Sequence, residues 1–409
     1  MKNENKDSAK RKKIEEKKEI RKYKHHKRFW KFIRVVAKPI IKMLFKFEYE
    51  IAPAIKGPYL VVSNHTTDLD PAFLGISFPP QMYFVASEHV YRSGILGVFL
   101  KWAFEPIAKI KGSSDAATVL KMLRYLRSGK NVCLFPEGNR SFNGKTGEII
   151  QATGKLVKAS NASLVTYKIT GGYFATPRWG KGIRKGKVTG KVVKVYSPEE
   201  IKKMEPEEVT AVIKADLWEN AYETQAKNPI KYKGKTLAES FETGYNVCPK
   251  CKTIDNITSK KNKIFCKNCG METVLDEYGY FPKDFDFKTV EEWDNFQEDF
   301  YKNLVSETKD TTDSLFFDTN VELWTFNENH IENSLGIGTF KMFTNRFVFE
   351  TDSKSIELPL SEIPDLSIHG KKTLIFTSSG NIHYELKSKN LINVRKYLSC
   401  FSALKKYIN

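Results

Sequence analysis

The chain has 409 residues, of which 41% are hydrophobic, and its formal net charge at pH 7 is +19. This length exceeds that of one typical domain, and the hydrophobic content is ample for a packed core, which excludes a wholly disordered chain. The charge is unevenly distributed, because residues 1–46 carry 18 Lys and Arg against 5 Asp and Glu. The rest of the chain is only mildly basic, so the excess charge belongs to the first segment.

This basic segment divides into two parts of different character. Residues 1–28 contain few apolar side chains and are interpreted as a flexible basic arm, whereas residues 29–47 are predicted to form an amphipathic helix. The cations of this helix, with one that precedes it, fall within a sector of about 120°, and they are Lys27, Lys31, Arg34, Lys38, Lys42 and Lys46. A cation at every turn and Pro39 in the middle oppose a transmembrane helix, and no signal-peptide cleavage site is recognisable.

A cationic amphipathic helix is typical of one that lies in the plane of a membrane interface. Each Lys or Arg near an anionic leaflet contributes about 1 kcal/mol, so half of these charges would hold the chain at a phospholipid surface. We therefore expect a peripheral protein on the cytoplasmic face of a membrane. The alternatives are a helix that packs on its own domain and a basic arm that binds nucleic acid. The downstream motifs favour the membrane, and no nucleic-acid partner is expected.

A histidine motif follows the first predicted strand. Residues 59–62 (YLVV) form a short apolar run, and SNHTTDLDP follows at its carboxyl end, where the sites of α/β proteins usually open. His65 is the candidate general base, since the unperturbed pKa of imidazole suits proton transfer near neutrality. Asp70 can fold back across a turn to orient the ring, and Asp68 is the weaker candidate for that role. A lone His near an Asp is usually only a surface or helix-cap pair.

A second motif, FPEGNRS over residues 135–141, ends another short apolar strand, NVCLFP over residues 131–136. Arg140 offers a planar fork of donors to phosphate oxygens, and Gly138 lets the backbone approach a ligand closely. This combination suits a phosphate monoester. The alternative is an ordinary strand-to-loop turn with an exposed ion pair.

Taken together, NHTTDLDP and FPEGNRS closely resemble the paired motifs of the 1-acylglycerol-3-phosphate O-acyltransferase family, NHxSxxDP and FPEGxRS. The resemblance covers roughly residues 46–196. It implies an α/β fold with a mixed sheet flanked by helices, for which we expect a domain over residues 48–230. It also implies that His65 is the catalytic base and Asp70 its partner, and it assigns to the substrate-binding motif Glu137, Gly138 and Arg140.

The segment between the two motifs departs from the family pattern. The family usually has an arginine there that binds the glycerol phosphate, whereas residues 106–115 read PIAKIKGSSD. Lys109 is the expected substitute and Lys111 the second choice. A lysine supplies charge without the bidentate fork, so phosphate binding would have looser geometry.

We therefore expect His65 to deprotonate the free hydroxyl of a lysophospholipid, which then attacks an acyl thioester. The expected acceptor is 1-acylglycerol-3-phosphate and the product phosphatidic acid, in phospholipid biosynthesis, with acyl-CoA or acyl-ACP as donor and acyl carrier protein as an alternative partner. Arg140 and Lys109 would hold the phosphate. The alternatives are another lysolipid acceptor, a membrane-docked scaffold with a catalytically silent fold, and a nucleic-acid-binding protein, which would leave FPEGNRS unexplained.

Residues 171–187, GGYFATPRWGKGIRKGK, interleave aromatic and basic side chains in a glycine-rich segment. Aromatic rings with basic neighbours suit a membrane headgroup interface, so this segment is interpreted as a second surface contact. A flexible solvated hairpin is the alternative.

Four of the six cysteines form two CxxC pairs separated by fourteen residues, and they are Cys248, Cys251, Cys266 and Cys269. This spacing is typical of a structural zinc ribbon, predicted over residues 244–275. A closed four-sulfur site has no open position for a substrate, so zinc is expected to stabilise the fold; a rubredoxin-like iron site is the alternative. Metal-binding pairs without a disulfide framework indicate a reducing cytosol.

The last part of the chain changes to short alternating strands. A linker helix is predicted over residues 276–312 and a β-rich domain over residues 313–409, with a final amphipathic helix at residues 390–407. Several antiparallel strands closed by such a helix resemble the pleckstrin-homology or GRAM-type architecture, without a diagnostic motif. Folds of this type bind phosphoinositides or proteins, and others serve as scaffolds.

Overall fold

The computed structural model describes residues 2–90, 94–109, 116–308, 312–326, 332–388 and 393–408, and within these ranges the chain forms three sheets. The first is a seven-stranded mixed sheet in the order β1-β7-β6-β2-β5-β3-β4. Its strands are β1 (Glu48–Tyr49), β2 (Tyr59–Ser63), β3 (Met82–Ser87), β4 (Ile107–Lys109), β5 (Asn131–Leu134), β6 (Ser163–Thr170) and β7 (Thr189–Tyr196).

Five neighbouring strands of this sheet, from β6 to β4, run parallel, so their carboxyl ends share one edge. The central strand β2 is buried on both faces, as a strand of a helix-covered parallel sheet should be. The covering helices are α1 (Lys2–Phe45), α2 (Asp70–Ser77), α3 (Gly94–Phe104), α4 (Ala116–Arg127), α5 (Ala152–Ser160), α6 (Gly172–Ala175), α7 (Pro198–Lys202), α8 (Pro206–Leu217) and α9 (Ala221–Lys227). The predicted α/β fold with a mixed sheet is confirmed.

Helix α1 is continuous over Lys2–Phe45, where the sequence had predicted a flexible arm followed by a shorter helix. One face of α1 packs on the domain: Trp30 and Phe45 are buried, and Trp30 Nε1 donates to the carbonyl oxygen of Phe78 at 3.3 Å. Arg34, expected in the cationic stripe, instead donates to the carbonyl oxygens of Gly75 and Ile76 at 2.8 and 3.0 Å. These carbonyls end α2, so Arg34 caps that helix.

The aromatic and arginine side chains of residues 171–187 lie in the interior, whereas Lys181, Ile183 and Lys185 are exposed, so the aromatic rings are not available for the expected surface contact. Its aromatic and arginine side chains are at most 4% exposed, namely Tyr173, Phe174, Arg178, Trp179 and Arg184. The Trp179 ring meets the Phe241 ring edge-on at 5.0 Å between centroids. These side chains are covered by residues that come much later in the chain, such as Phe241. The local composition of residues 171–187 does not indicate this contact.

A second, three-stranded antiparallel sheet contains β8 (Ile257–Lys260), β9 (Lys263–Cys266) and β10 (Glu272–Val274). Its buried residues belong to the same hydrophobic cluster as the first sheet. Helix α10 (Val290–Thr308) follows and packs against this module, since Trp293 Nε1 donates to the carbonyl oxygen of Val247 at 3.1 Å. Gln297 Oε1 also accepts from the backbone N–H of Asn246 at 2.8 Å.

The third sheet is antiparallel throughout, in the order β14-β13-β12-β11-β17-β16-β15. It consists of β11 (Phe316–Phe326), β12 (Glu332–Met342), β13 (Arg346–Glu350), β14 (Ser355–Pro359), β15 (Leu366–His369), β16 (Thr373–Ser378) and β17 (Ile382–Ser388), and helix α11 (Arg395–Ile408) ends the chain. The predicted antiparallel β-rich region is confirmed, and its pleckstrin-homology or GRAM-type resemblance stays a prediction.

The antiparallel sheet docks at the carboxyl edge of the first sheet. His89, just after β3, forms a hydrogen bond with Glu385 on β17, with 2.8 Å between His89 Nε2 and Glu385 Oε1. Its ring also stacks on that of His369, at the end of β15, with centroids 4.0 Å apart. The edge at which the parallel strands end is therefore partly covered by the last part of the chain.

Candidate active site

The loop after β2 is organised around one carboxylate. Asp70 is fully buried at the first position of α2, and its Oδ2 accepts from the backbone N–H groups of Thr66 and Thr67 at 2.7 and 3.0 Å. The same oxygen lies 2.8 Å from Nδ1 of His65. An ionised carboxylate only accepts hydrogen bonds, so Nδ1 carries the proton and Nε2 is the basic nitrogen of the ring.

The histidine motif and the FPEGNRS loop are joined around His65. The imidazole, 20% exposed, stacks on the ring of Phe135 with centroids 4.4 Å apart. The backbone N–H of His65 donates to Oε1 of Glu137 at 2.6 Å, and its carbonyl oxygen accepts from the N–H of Ser141 at 3.0 Å. The two sequence motifs therefore form one site.

The preceding residue fixes this loop to the neighbouring strand. Asn64 is buried and makes two hydrogen bonds of 2.8 Å with the backbone N–H and carbonyl of Ile169 on β6. Gly172 at the start of α6 lies directly behind the loop, where a Cβ would be 2.3 Å from Oγ1 of Thr66. Only glycine fits there, so the histidine loop is held from two sides.

Glu137 orders the second loop through both of its carboxylate oxygens. Its Oε1 accepts from His65 and its Oε2 accepts from the N–H of Gly147, each at 2.6 Å. Burial raises the pKa of Glu137 to about 8, against the opposite effect of these two N–H donors. Gly138 follows with φ +70°, a left-handed conformation that favours glycine. Glu137 therefore links the backbone of the histidine loop to the backbone at Gly147.

Arg140 and Asp68 form an ion pair at the edge of the site. Nε of Arg140 lies 3.0 Å from Oδ1 of Asp68, and the two side chains are 11% and 81% exposed. Asp68 therefore pairs with Arg140, while Asp70 is the carboxylate that meets His65. Asp68 is the exposed partner of this pair, so it is the group that a ligand anion can replace.

Lys109 lies on the edge strand of the mixed sheet. It ends β4, the edge strand, which β3 and β5 separate from the strand that precedes His65. Three strand spacings place it about 14 Å away in the sheet direction. Its charge acts instead on Asp365, near the antiparallel sheet. The role of Lys109 in holding the phosphate stays a prediction, and Lys111 lies outside the described residues.

A cleft opens beside His65 and includes residues outside both motifs. It is lined by Glu137, Ser141, Lys145, Thr146 and Glu219 in addition to the imidazole. Glu219 accepts from the hydroxyls of Thr170 and Thr224 at 3.2 and 2.8 Å, and burial raises its pKa. Sequence reasoning missed Glu219, since it follows α8 in a segment without a motif.

Comparison with known proteins agrees with this site. Residues 43–170 match the family model described as Acyltransferase. This segment is an acyltransferase-family domain. It contains the whole histidine motif and the FPEGNRS loop, whereas Glu219 lies beyond the matched part of the chain.

Solved structures give more distant matches. The 1-acyl-sn-glycerophosphate (LPA) acyltransferase PlsC from Thermotoga maritima is 18% identical, over 46% of this chain and 78% of that chain, with a TM-score of 0.38. Inner Membrane Complex Sub-compartment Protein 3 from Toxoplasma gondii is 12% identical over 27% and 86%, with a TM-score of 0.18. The C-terminal domain of an unknown protein from Leishmania infantum is 13% identical over 27% and 98%, with a TM-score of 0.17.

The four ribbon cysteines form a cluster outside the acyltransferase domain. Their sulfur atoms all lie within 4.8 Å of one another. The Cys248–Cys269 and Cys251–Cys266 Sγ distances are both 3.7 Å. Four Zn–S bonds of about 2.3 Å at tetrahedral angles require sulfur atoms about 3.8 Å apart. The cluster therefore fits a metal ion such as zinc, which would link the two turns that carry the CxxC pairs.

Proposed function

We propose that the acyltransferase domain transfers an acyl chain from a thioester to the free hydroxyl of a lysophospholipid, with 1-acylglycerol-3-phosphate as acceptor. The observation that carries this proposal is the 2.8 Å contact of His65 Nδ1 with the buried Asp70. The same site presents Arg140, a cation suited to a phosphate, on the adjoining loop. A base for the hydroxyl and a cation for the phosphate are the two groups that this reaction needs.

The reaction proceeds by direct transfer in this scheme. His65 Nε2 takes the proton of the acceptor hydroxyl as its oxygen attacks the thioester carbonyl. Asp70 stabilises the imidazolium that forms. The tetrahedral intermediate then expels the thiolate, which receives the proton from His65, so a new ester and a free thiol are the products. Either acyl-CoA or acyl-ACP supplies the thioester.

Arg140 positions the acceptor. The phosphate displaces the exposed Asp68 carboxylate and takes its place on the guanidinium. Fixing the phosphate end of the acceptor holds the hydroxyl close to His65, and positioning of this kind lowers the barrier by several kcal/mol.

The proposed acceptor is a membrane lipid, and the surface around α1 and α3 suits a bilayer. Both helices expose large apolar side chains, namely Phe32, Val35, Ile40 and Met43 on α1 and Ile95, Val98, Phe99 and Trp102 on α3. We call these residues the α1–α3 surface. Phe29 connects its two halves, with ring contacts to Phe99 and Trp102. None of the helices within the described ranges has the length and apolar character needed to cross a membrane.

The α1–α3 surface supports peripheral attachment to the cytoplasmic face of a phospholipid membrane. Exposed aromatic and aliphatic side chains of this extent bind apolar partners. The lysines of α1 flank them, and cations beside an apolar face favour an anionic lipid surface.

The acceptor assay tests the proposed function. The purified full chain is given lysophosphatidic acid, lysophosphatidylcholine or lysophosphatidylethanolamine in vesicles, each with acyl-CoA or acyl-ACP. We expect phosphatidic acid from lysophosphatidic acid at the highest rate. Transfer only to another lysolipid would show that this lysolipid, and not lysophosphatidic acid, is the acceptor. No transfer with any combination of lysolipid and donor would favour a catalytically silent scaffold.

A further inference from the structure

The turn between β15 and β16 brings the antiparallel sheet next to the FPEGNRS loop. Arg178 connects the two parts: its Nη1 donates to the carbonyl oxygen of Arg140 and its Nη2 to that of Ile368, both at 3.0 Å. On the turn itself, the Lys371 ammonium donates to the carbonyl oxygen of Gly180. Residues from distant parts of the chain therefore meet beside the loop that carries Arg140.

Three cations gather at this junction, and their charge is only partly neutralised. Arg140 pairs with Asp68. Among the residues that the structure describes, no carboxylate lies at ion-pair distance from Arg178 or Lys371. The Arg178 side chain is 4% exposed, and its guanidinium lies over the ring of Phe142, 4.1 Å from the centroid. A buried cation without a counter-ion is unfavourable, so the junction favours the arrival of an anion.

The other charged groups nearby already have partners. Glu242 faces Lys371, but its Oε2 accepts from the hydroxyl of Ser259 at 2.5 Å. Arg395, which lies near Arg178, is paired with Asp294 at 2.5 Å. Glu242 and Asp68 thus supply two negative charges against the three cations, so the junction keeps an excess of positive charge.

The surroundings of Lys371 disfavour the charged form of its side chain. Burial and then the charge of Arg140 lower the pKa of Lys371 to about 8, and Lys181 acts in the same direction. Glu242 and Asp68 act in the opposite direction without restoring the ordinary value. An anion beside the ammonium would stabilise its charged form.

Both parts of the chain contribute side chains to a narrow gap at this junction. It is lined by Phe142, Arg178, Trp179, Thr243, Ile368 and Lys371. Arg140 immediately precedes Ser141, whose N–H binds the His65 carbonyl at 3.0 Å. A group bound by these cations is therefore next to the loop that supports the catalytic base.

We propose that Lys371, together with Arg140 and Arg178, binds a phosphate group carried by a substrate of the acyl transfer, so that the antiparallel sheet forms part of the substrate site. This inference rests on the proposed function for the identity of the substrate. The phosphate belongs either to the acceptor or to the coenzyme A of the donor, and the kinetic arms below distinguish the two.

The kinetic experiment uses three variants of the full chain. K371Q removes the charge and keeps a hydrogen-bond donor, whereas K371R keeps the charge. K372Q is the matched control, because Lys372 is an exposed neighbour on the same turn. KM and kcat are measured for lysophosphatidic acid and for acyl-CoA.

We expect K371Q to raise the KM for lysophosphatidic acid about tenfold or more, as loss of a charge-assisted contact should. Its kcat should change much less, and K371R and K372Q should stay near the wild type. A rise in the KM for acyl-CoA instead would also support the anion site and assign its phosphate to the donor. Unchanged KM values for both substrates in K371Q would overturn the proposal.

A binding experiment separates this inference from the proposed function. Glycerol 3-phosphate is added to each protein and the melting temperature is followed, because a ligand of the folded state raises it. We expect a rise for the wild type and K372Q and a clearly smaller one for K371Q. Equal rises in all three would contradict the anion site, whereas normal binding without turnover of any lysolipid would count against the proposed function alone.

Discussion

Asp70 is the residue on which the geometry of the histidine loop depends most. One buried oxygen accepts from the ring of His65 and from the backbone of Thr66 and Thr67. Its position at the start of α2 adds the favourable end of the helix dipole. The same carboxylate thus sets the backbone of the loop and the tautomer of the ring.

Glu137 makes stability depend on pH. Its pKa is raised from 4.5 to about 8 in the folded chain, chiefly by burial, so between these values the folded state holds more protons than the unfolded state. Its contribution to stability is therefore fully present below about pH 4.5 and is lost as the pH rises through about 8. We expect E137Q to lose less stability than the wild type between pH 5.5 and 8.5. Melting temperatures at both pH values measure this, and equal losses would contradict the assignment.

Contacts between residues that are close in the sequence could be predicted from it, whereas contacts between residues distant in the sequence could not. Asp70 is five residues from His65, and a turn into a helix brings them together, so the pair could be predicted. The contact of Arg178 with Arg140 and Ile368 depends on how the antiparallel sheet docks. No local pattern around Lys371 indicates that it lies near Arg140. The catalytic roles of His65 and Asp70 themselves stay predictions.

At the scale of elements, α1 has one apolar face that is buried and another that is exposed. Trp30 and Phe45 pack on the domain, while Val35 and Met43 are 74% and 71% exposed. Helical periodicity predicted the amphipathic character of this segment. Periodicity does not indicate which part of a broad apolar arc faces the protein, because that depends on the shape of the domain on which α1 packs.

The three-stranded module between the two larger sheets was recognisable from cysteine spacing, because four ligands from two tight turns need little tertiary information. The burial of residues 171–187 was not recognisable. Trp179 and Arg184 have the composition of a membrane interface, and only packing against Phe241 and its neighbours places them inside. Interleaved aromatic and basic residues therefore indicate either an interface or an internal junction.

The cysteine cluster makes a testable prediction for metal removal. The purified protein should contain one zinc ion per chain by atomic absorption, and C251S should contain much less. A module this small depends on its metal, so removal by a strong chelator should lower the melting temperature of the protein. Restoration by added zinc is the control for irreversible damage, and an unchanged melting temperature after complete removal would contradict a structural role.

At the scale of the whole molecule, two features of different character stand out, a partly covered carboxyl edge of the mixed sheet and an exposed apolar surface on α1 and α3. The antiparallel sheet covers part of that edge through His89, Glu385 and Arg178. The α1–α3 surface leaves apolar side chains exposed on the acyltransferase domain. This arrangement suits a site that receives one end of a lipid from a bilayer and its phosphate at a polar junction.

Vesicle binding tests the role of the α1–α3 surface. Ile95 and Val98 are 91% and 69% exposed on α3, and I95D and V98D should each weaken binding to vesicles of phosphatidylcholine and phosphatidylglycerol about tenfold. The reason is that each change removes apolar contact and adds a charge repelled by anionic lipid. F317D is the matched control, since Phe317 is 58% exposed on the antiparallel sheet. Binding is measured by vesicle sedimentation. Equal binding by all three variants and the wild type would contradict a role of the α1–α3 surface in membrane attachment.

The central claim is that His65 is the base of an acyl transfer, and turnover by H65A tests it most directly. Formation of phosphatidic acid from lysophosphatidic acid and an acyl thioester is compared between the wild type and H65A, with melting temperature and vesicle binding followed in parallel. We expect turnover to fall at least about a hundredfold, as loss of a general base should, with both other properties retained. Turnover by H65A at the wild-type rate would contradict the claim.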